Sequence, residues 1–188
     1  MRKRMMLAFV AMVVALLTGC GKQEAKRADI TLIKSPENSA GGIVWSYPSR
    51  WVKGEQRMMR AATYAVPAAQ GDAEGGECAV FYFGSQQGGT VDMNIERWGS
   101  QFENAKQVVK TTLTVGDVNI TRVQLGGTYL APSGPMMESQ GKKENYLLLG
   151  AIAEAPEGMV FFKFTGPAKT VEGAEAEFDA MIQSVSKK

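Results

Sequence analysis

The chain of 188 residues contains no histidine. Its absence removes the commonest general base, the commonest metal ligand and every Ser-His or Cys-His nucleophile pair. Cysteine is scarce, with only Cys20 and Cys78. If Cys20 is consumed by the N-terminal processing argued below, no internal disulfide can form, and a domain of this size must hold itself up by its core. Cys78 falls in the apolar run "CAVFYF" and reads as a buried small hydrophobe, not a reactive thiol. No apolar run is long enough for a comfortable membrane span, the longest being Met5 to Leu17.

What stands at the front is an address. Arg2, Lys3 and Arg4 precede that apolar run, and the chain then reads "LTGC" at residues 17–20. A charged start, a short apolar stretch and small residues at the cut predict a secretory signal over residues 1–19. The four residues resemble the bacterial lipobox, which implies cleavage before Cys20 and acylation of its thiol and new amine. Two or more acyl chains give stable membrane anchoring. Gly21 is not the aspartate that resembles an inner-membrane retention signal, so the expected location is the outer membrane, facing the periplasm. Loss of residues 1–19 removes three of 21 basic residues, leaving 18 against 19 acidic and a formal charge of −1 in place of +2. A near-neutral mature chain offers no footprint for nucleic acid.

Residues 20–42 read as the lipidated cysteine and a polar tether closed by Gly41 and Gly42, with "ITLI" at 30–33 as a candidate edge strand. Residues 43–188 read as one domain. Within it, "GIVWSY" and "RMMRAATYAV" look like strands stopped by Pro48 and Pro67, and "CAVFYF" is apolar on both faces. Val91, Ile95, Trp98 and Phe102 recur at helical spacing after Thr90. "VKTTLTV" and "VNITRVQL" flank Gly116-Asp117 as a hairpin, and "NYLLLGAIAEA" and "MVFFKFTG" flank Pro156-Glu157-Gly158 as a second. Val171, Ala174, Phe178, Met181, Ile182 and Val185 mark a C-terminal helix. The order predicts an α+β domain, a largely antiparallel sheet of six to seven strands carrying a mid-chain and a C-terminal helix.

Two motifs imitate ligand sites. "GSQQGGTV" has Gly84 and Gly89 at the spacing of a phosphate loop, but Thr90 and Val91 replace the lysine and hydroxyl residue that such a loop needs. The glycines are explained by a tight strand-to-helix connection with Thr90 as N-cap, so no nucleotide is expected. "DMNIERWGSQFE" places acidic or amide residues at four calcium-loop positions, yet Arg97 stands where that loop requires glycine, and the stretch carries the helical stripe. Ser133, in "APSGP", lacks a nucleophile elbow. The carboxylate pairs Glu74 and Glu77, Glu154 and Glu157, and Glu172 and Glu175 fall in turns or on helix surfaces. The expectation is therefore no catalytic residue, no metal and no cofactor.

"VWSYPSRW" adds a family likeness. An aromatic strand ending in Tyr47-Pro48, with Trp51 three residues on, later hairpins and a C-terminal helix ending in "MIQSVSK", resembles the PsbP-like fold. The resemblance implies an antiparallel sheet with helices on its faces and a habit of binding proteins without performing chemistry. The expected function is accordingly a lipid-anchored, non-catalytic protein-binding or assembly module with an unidentified envelope partner, the alternative being a carrier of a small apolar or lipid ligand. Two helices cannot cover both faces of such a sheet, so the loop at 131–145, with Met136, Met137, Lys142 and Lys143, and the sheet surface beside it form the expected partner site.

Overall fold

The computed structural model describes residues 29–105, 108–131 and 141–188. The signal segment, Cys20, the first part of the tether through residue 28, Ser133, Met136 and Met137 lie outside the described residues.

Antiparallel pairing builds the domain. Strands β1 (Leu32–Ala40) and β2 (Ile43–Pro48) form a hairpin, and β11 (Ser186–Lys187) joins β2 to complete a three-stranded sheet. The turn between β1 and β2 is Gly41-Gly42, both with positive φ, as a two-residue hairpin loop of the right-handed twist demands. This corrects the tether reading. Residues 32–40, polar enough to pass for a linker, are held by hydrogen bonds to β2 and bury Asn38 fully.

The second sheet has eight strands: β3 (Val52–Lys53), β4 (Arg60–Val66), β5 (Gly76–Tyr82), β6 (Phe102–Glu103), β7 (Val109–Val115), β8 (Val118–Leu130), β9 (Lys142–Ala155) and β10 (Gly158–Pro167). They lie in the order β3-β4-β5-β10-β9-β8-β6, with β7 also on β8. Both predicted hairpins are present, with Val115 opposite Val118 and Ala155 opposite Gly158. The eight strands of this sheet exceed the expected six to seven because β3 and β6 are only two residues long, below what periodicity can register. Lys142 to Asn145 open β9 and are not part of the loop to which they were assigned.

Alternation along these strands makes two cores. One face of the large sheet presents Tyr64, Val80, Phe162, Phe164 and Leu149 to α2 (Ala168–Gly173), α3 (Glu175–Gln183) and the small sheet. Trp45 meets Phe162 edge-on at 5.4 Å, and its indole N–H donates to the Tyr64 hydroxyl at 2.9 Å, so the buried ring leaves no orphan donor. Trp51 packs on Phe164 and donates to Glu177 of α3 at 2.8 Å. The "VWSYPSRW" residues thus tie both sheets to the C-terminal helix.

The other face carries α1 (Val91–Gly99), whose Trp98 lies with Phe102 on Val123, Leu125, Leu148, Ile152 and Phe161. Thr90 caps this helix, accepting from the Met93 amide at 3.2 Å. The preceding glycine loop turns the chain as expected, with positive φ at Gly84, Gly88 and Gly89. The carbonyls of Gly88 and Thr90 accept from the buried Asn94 amide at 2.7 and 2.8 Å. Phe102 belongs to β6 and continues the core stripe without continuing the helix. Since α1 spans only 9 residues, it covers β8, β9 and β10 around Val123, Leu148 and Phe161 and leaves open β4, β5 and the stretches of the other three strands that carry Tyr129, Tyr146 and Lys163.

Candidate functional site

The uncovered part of that face is a groove of about 830 Å³. Its floor comes from alternate residues of neighbouring strands. Register places Thr63 beside Ala79 and Ala79 beside Lys163, and on the next row Ala65 beside Glu77 and Glu77 beside Thr165. Gln101, just past α1, and Tyr129 and Tyr146 of β8 and β9 form one wall. Arg57 and Arg60 lie toward the β4 end.

Gly150 decides where α1 stops and the groove begins. It pairs with Lys163, and a Cβ built on it would lie 2.3 Å from Cζ3 of Trp98. The indole therefore stands against bare backbone, and Gln101, two residues past α1, lies beside the lysine. The Lys163 ammonium donates to Gln101 Oε1 at 2.6 Å and to the Tyr129 hydroxyl at 3.4 Å, and lies 5.5 Å from the Tyr129 ring centroid.

Aromatic rings and cations interleave throughout. Arg60 stands over Phe81 at 5.5 Å and Lys143 over Tyr146 at 5.4 Å. Tyr129 and Tyr146 stack with centroids 5.7 Å apart and planes 2° from parallel. Such contacts fix flexible cations against flat apolar surface.

The charges are unevenly matched. Glu77 accepts from Arg60 at 2.8 Å and from Arg57 at 3.4 Å. Glu74 accepts from Lys143 at 2.7 Å and from the Tyr146 hydroxyl. Among the described residues Lys163 meets no carboxylate at hydrogen-bonding distance, and its ammonium donates to neutral oxygens. Burial, then repulsion from Arg60, pushes its ammonium down to about 8, with Arg97 adding to the fall and Glu77 opposing it. The Lys143 hydrogen bond, then that of Tyr146, holds the Glu74 carboxyl below its usual value. Burial raises the Tyr129 and Tyr146 phenols. A lowered carboxyl is the opposite of what a general acid requires at neutral pH.

The carboxylates read as solvated pairs are thus separated by role. Glu74 and Glu77 come together at the groove but each is held by cations; Glu154, Glu157 and Glu172 are exposed, and Glu175 accepts from Arg122 at 2.5 Å. Asp92 and Glu96 are exposed on α1. Among the described residues no group of three or more His, Cys, Asp or Glu is placed to hold a metal ion. Cys78 is fully buried, and burial pushes its thiol up, the condition of an inert core cysteine. Cys20 lies outside the described residues. Sequence reasoning overlooked Lys163, Tyr129, Tyr146, Arg60 and Gln101. The available signal was Lys163 itself, one cation inside "MVFFKFTG", a strand otherwise apolar on both faces.

No protein-family model matches the chain, and no curated protein matches it. Solved structures do. The solution structure of cyanobacterial PsbP (CyanoP) from Synechocystis sp. PCC 6803 aligns with a TM-score of 0.52 at 10% identity, covering 92% of this chain and 99% of that one. The crystal structure of a protein of unknown function from Pseudomonas aeruginosa aligns with a TM-score of 0.50 at 13% identity, covering 85% and 97%. At these identities the likeness concerns the fold alone, and the fold of this chain is PsbP-like.

Proposed function

We propose that this protein is a lipid-anchored cell-envelope module that acts by binding another protein and performs no chemistry of its own. The observation that carries the reading is the half-covered sheet face, where one short helix leaves a groove of about 830 Å³ lined by aromatic rings and fixed cations. Surfaces that combine rigid rings with cations bind at low entropic cost. The "LTGC" sequence supports the anchor, and the residues between Cys20 and β1 supply a short leash, with the groove borne on the domain beyond it. A carrier of a small apolar ligand calls for an enclosed apolar cavity; this groove is open and holds Arg57, Arg60, Lys143 and Lys163 against Glu74 and Glu77. The reading is tested by treating intact membranes with an amine-reactive crosslinker and isolating the anchored protein. Discrete higher-mass adducts containing a second envelope protein are expected. A protein recovered only as uncrosslinked monomer overturns the reading.

A further inference from the structure

We infer that the groove receives a short extended peptide segment of a partner, with one acidic side chain of that segment seated on Lys163. The inference rests on the binding-module reading and names the chemistry of its ligand.

Length favours a peptide. The lining residues come from six adjacent strands, Val52 on β3 through Tyr129 on β8. Five gaps of about 4.8 Å make about 24 Å, the reach of about seven residues at about 3.3 Å each. A ligand that uses the whole groove is therefore elongated. Its apolar side chains would lie against Phe81, Ala79 and Tyr146, which are sheet residues and present fixed surface.

Charge favours a carboxylate. Arg57 and Arg60 share Glu77, and Lys143 is held by Glu74, so three of the four cations already have an anionic partner. Lys163 has three donors, and among the described residues its acceptors are the neutral oxygens of Gln101 and Tyr129. A single lysine with one neutral amide beside it suits a monoanion; a phosphate would call for the bidentate arginines that are here engaged. The groups facing Lys163 are Arg60 from β4, Glu77 from β5, Arg97 from α1 and Tyr129 from β8, with Lys143 and Tyr146 of β9 lining the same groove. Their balance disfavours the ammonium when the groove is empty, bringing Lys163 to about 8. A seated carboxylate restores the charge, so binding takes up a proton above that pH and weakens as pH rises past it.

The test uses the mature chain carrying Cys20→Ala and two seven-residue probes, acetyl-Val-Thr-Val-Glu-Val-Thr-Val-amide and the same peptide with Gln for Glu, followed by amide NMR. The Glu probe is expected to shift groove resonances saturably, at least tenfold more tightly than the Gln probe, with the preference shrinking between pH 7 and pH 9. Lys163→Met is expected to abolish the preference and Lys163→Arg to retain most of it. Equal binding of the two probes, a preference that survives Lys163→Met, shifts confined to surfaces outside the groove, or sodium acetate binding as tightly as the Glu probe would each overturn the inference. Membrane crosslinks that persist undiminished in Lys163→Met would refute the carboxylate seat while leaving the module intact; their absence in the unaltered protein removes the module itself.

Discussion

The Trp98 indole occupies the space a side chain at residue 150 would need, since a Cβ on Gly150 would stand 2.3 Å from Cζ3 and 2.9 Å from Cε3 of the ring. Trp98 is itself 4% exposed and Gly150 is central in the sheet, so neither has room to retreat. One glycine therefore sets both the height of α1 above the sheet and the near wall of the groove. Gly150→Ala is expected to lower stability by about 1–3 kcal/mol, the usual range for overpacking a core. Urea denaturation measures it. Because Gln101 follows α1, the variant should also perturb Gln101 and Tyr129 resonances; a change in stability below about 0.5 kcal/mol would mean that the helix floats.

A second stability prediction concerns the other core. Trp45 has one polar atom, its indole N–H, and that donates to the Tyr64 hydroxyl at 2.9 Å. Both residues are almost wholly buried, Tyr64 at 0% and Trp45 at 2% exposure. Tyr64→Phe keeps the ring and orphans the donor, so it should cost about 1–3 kcal/mol. Trp45→Phe with Tyr64→Phe removes both polar partners, and the double variant should lose less than the two single changes added together. Additive losses in chemical denaturation would show that the bond contributes nothing of its own.

Lys163 predicts an unusual pH profile. Its ammonium sits at about 8 in the folded chain against an ordinary 10.5. Between those values the unfolded chain binds the proton and the folded one does not, so this residue makes stability rise as pH increases through the window. Below pH 8 the folded state carries the full cost of the desolvated charge. Lys163→Met should remove that slope and leave the protein at least as stable at pH 7. Melting temperatures of both proteins from pH 7 to pH 10.5 decide it, parallel curves being the contrary outcome.

The address is tested separately. Cys20→Ala should release the protein from the membrane fraction and abolish incorporation of labelled fatty acid, whereas Cys78→Ala should do neither. Unchanged sedimentation of the Cys20 variant with membranes would contradict the anchor.

Much of the fold was legible because it is written in local terms. Gly116-Asp117 and Pro156-Glu157 join strands whose periods are clear, and Thr90 with the Val91-Ile95-Trp98 stripe marks α1. What escaped is long-range. Residues 32–40 become a strand only because β2 lies beside them, and β6 exists only because Tyr129 and Thr128 pair with Phe102 and Glu103. The groove was less legible still. Its location follows from α1 covering β8 and β9 but not β4 and β5, which depends on Gly150 meeting Trp98 across 52 residues of chain. Sequence reasoning foresaw uncovered sheet surface but put the partner site chiefly in the loop at 131–145, of which residues 142–145 prove to be strand.

The central claim is that the groove face meets another protein, and site-specific photo-crosslinking in living cells tests it most directly. A photoreactive residue at Ala65, exposed on the groove floor, is compared with one at Ala176, exposed on α3 across the sheet. Ala65 should yield a discrete adduct with an envelope protein on irradiation, and Ala176 should not. The contrary result is adduct formation at Ala176 equal to that at Ala65, or none at Ala65 in a protein that is folded and anchored.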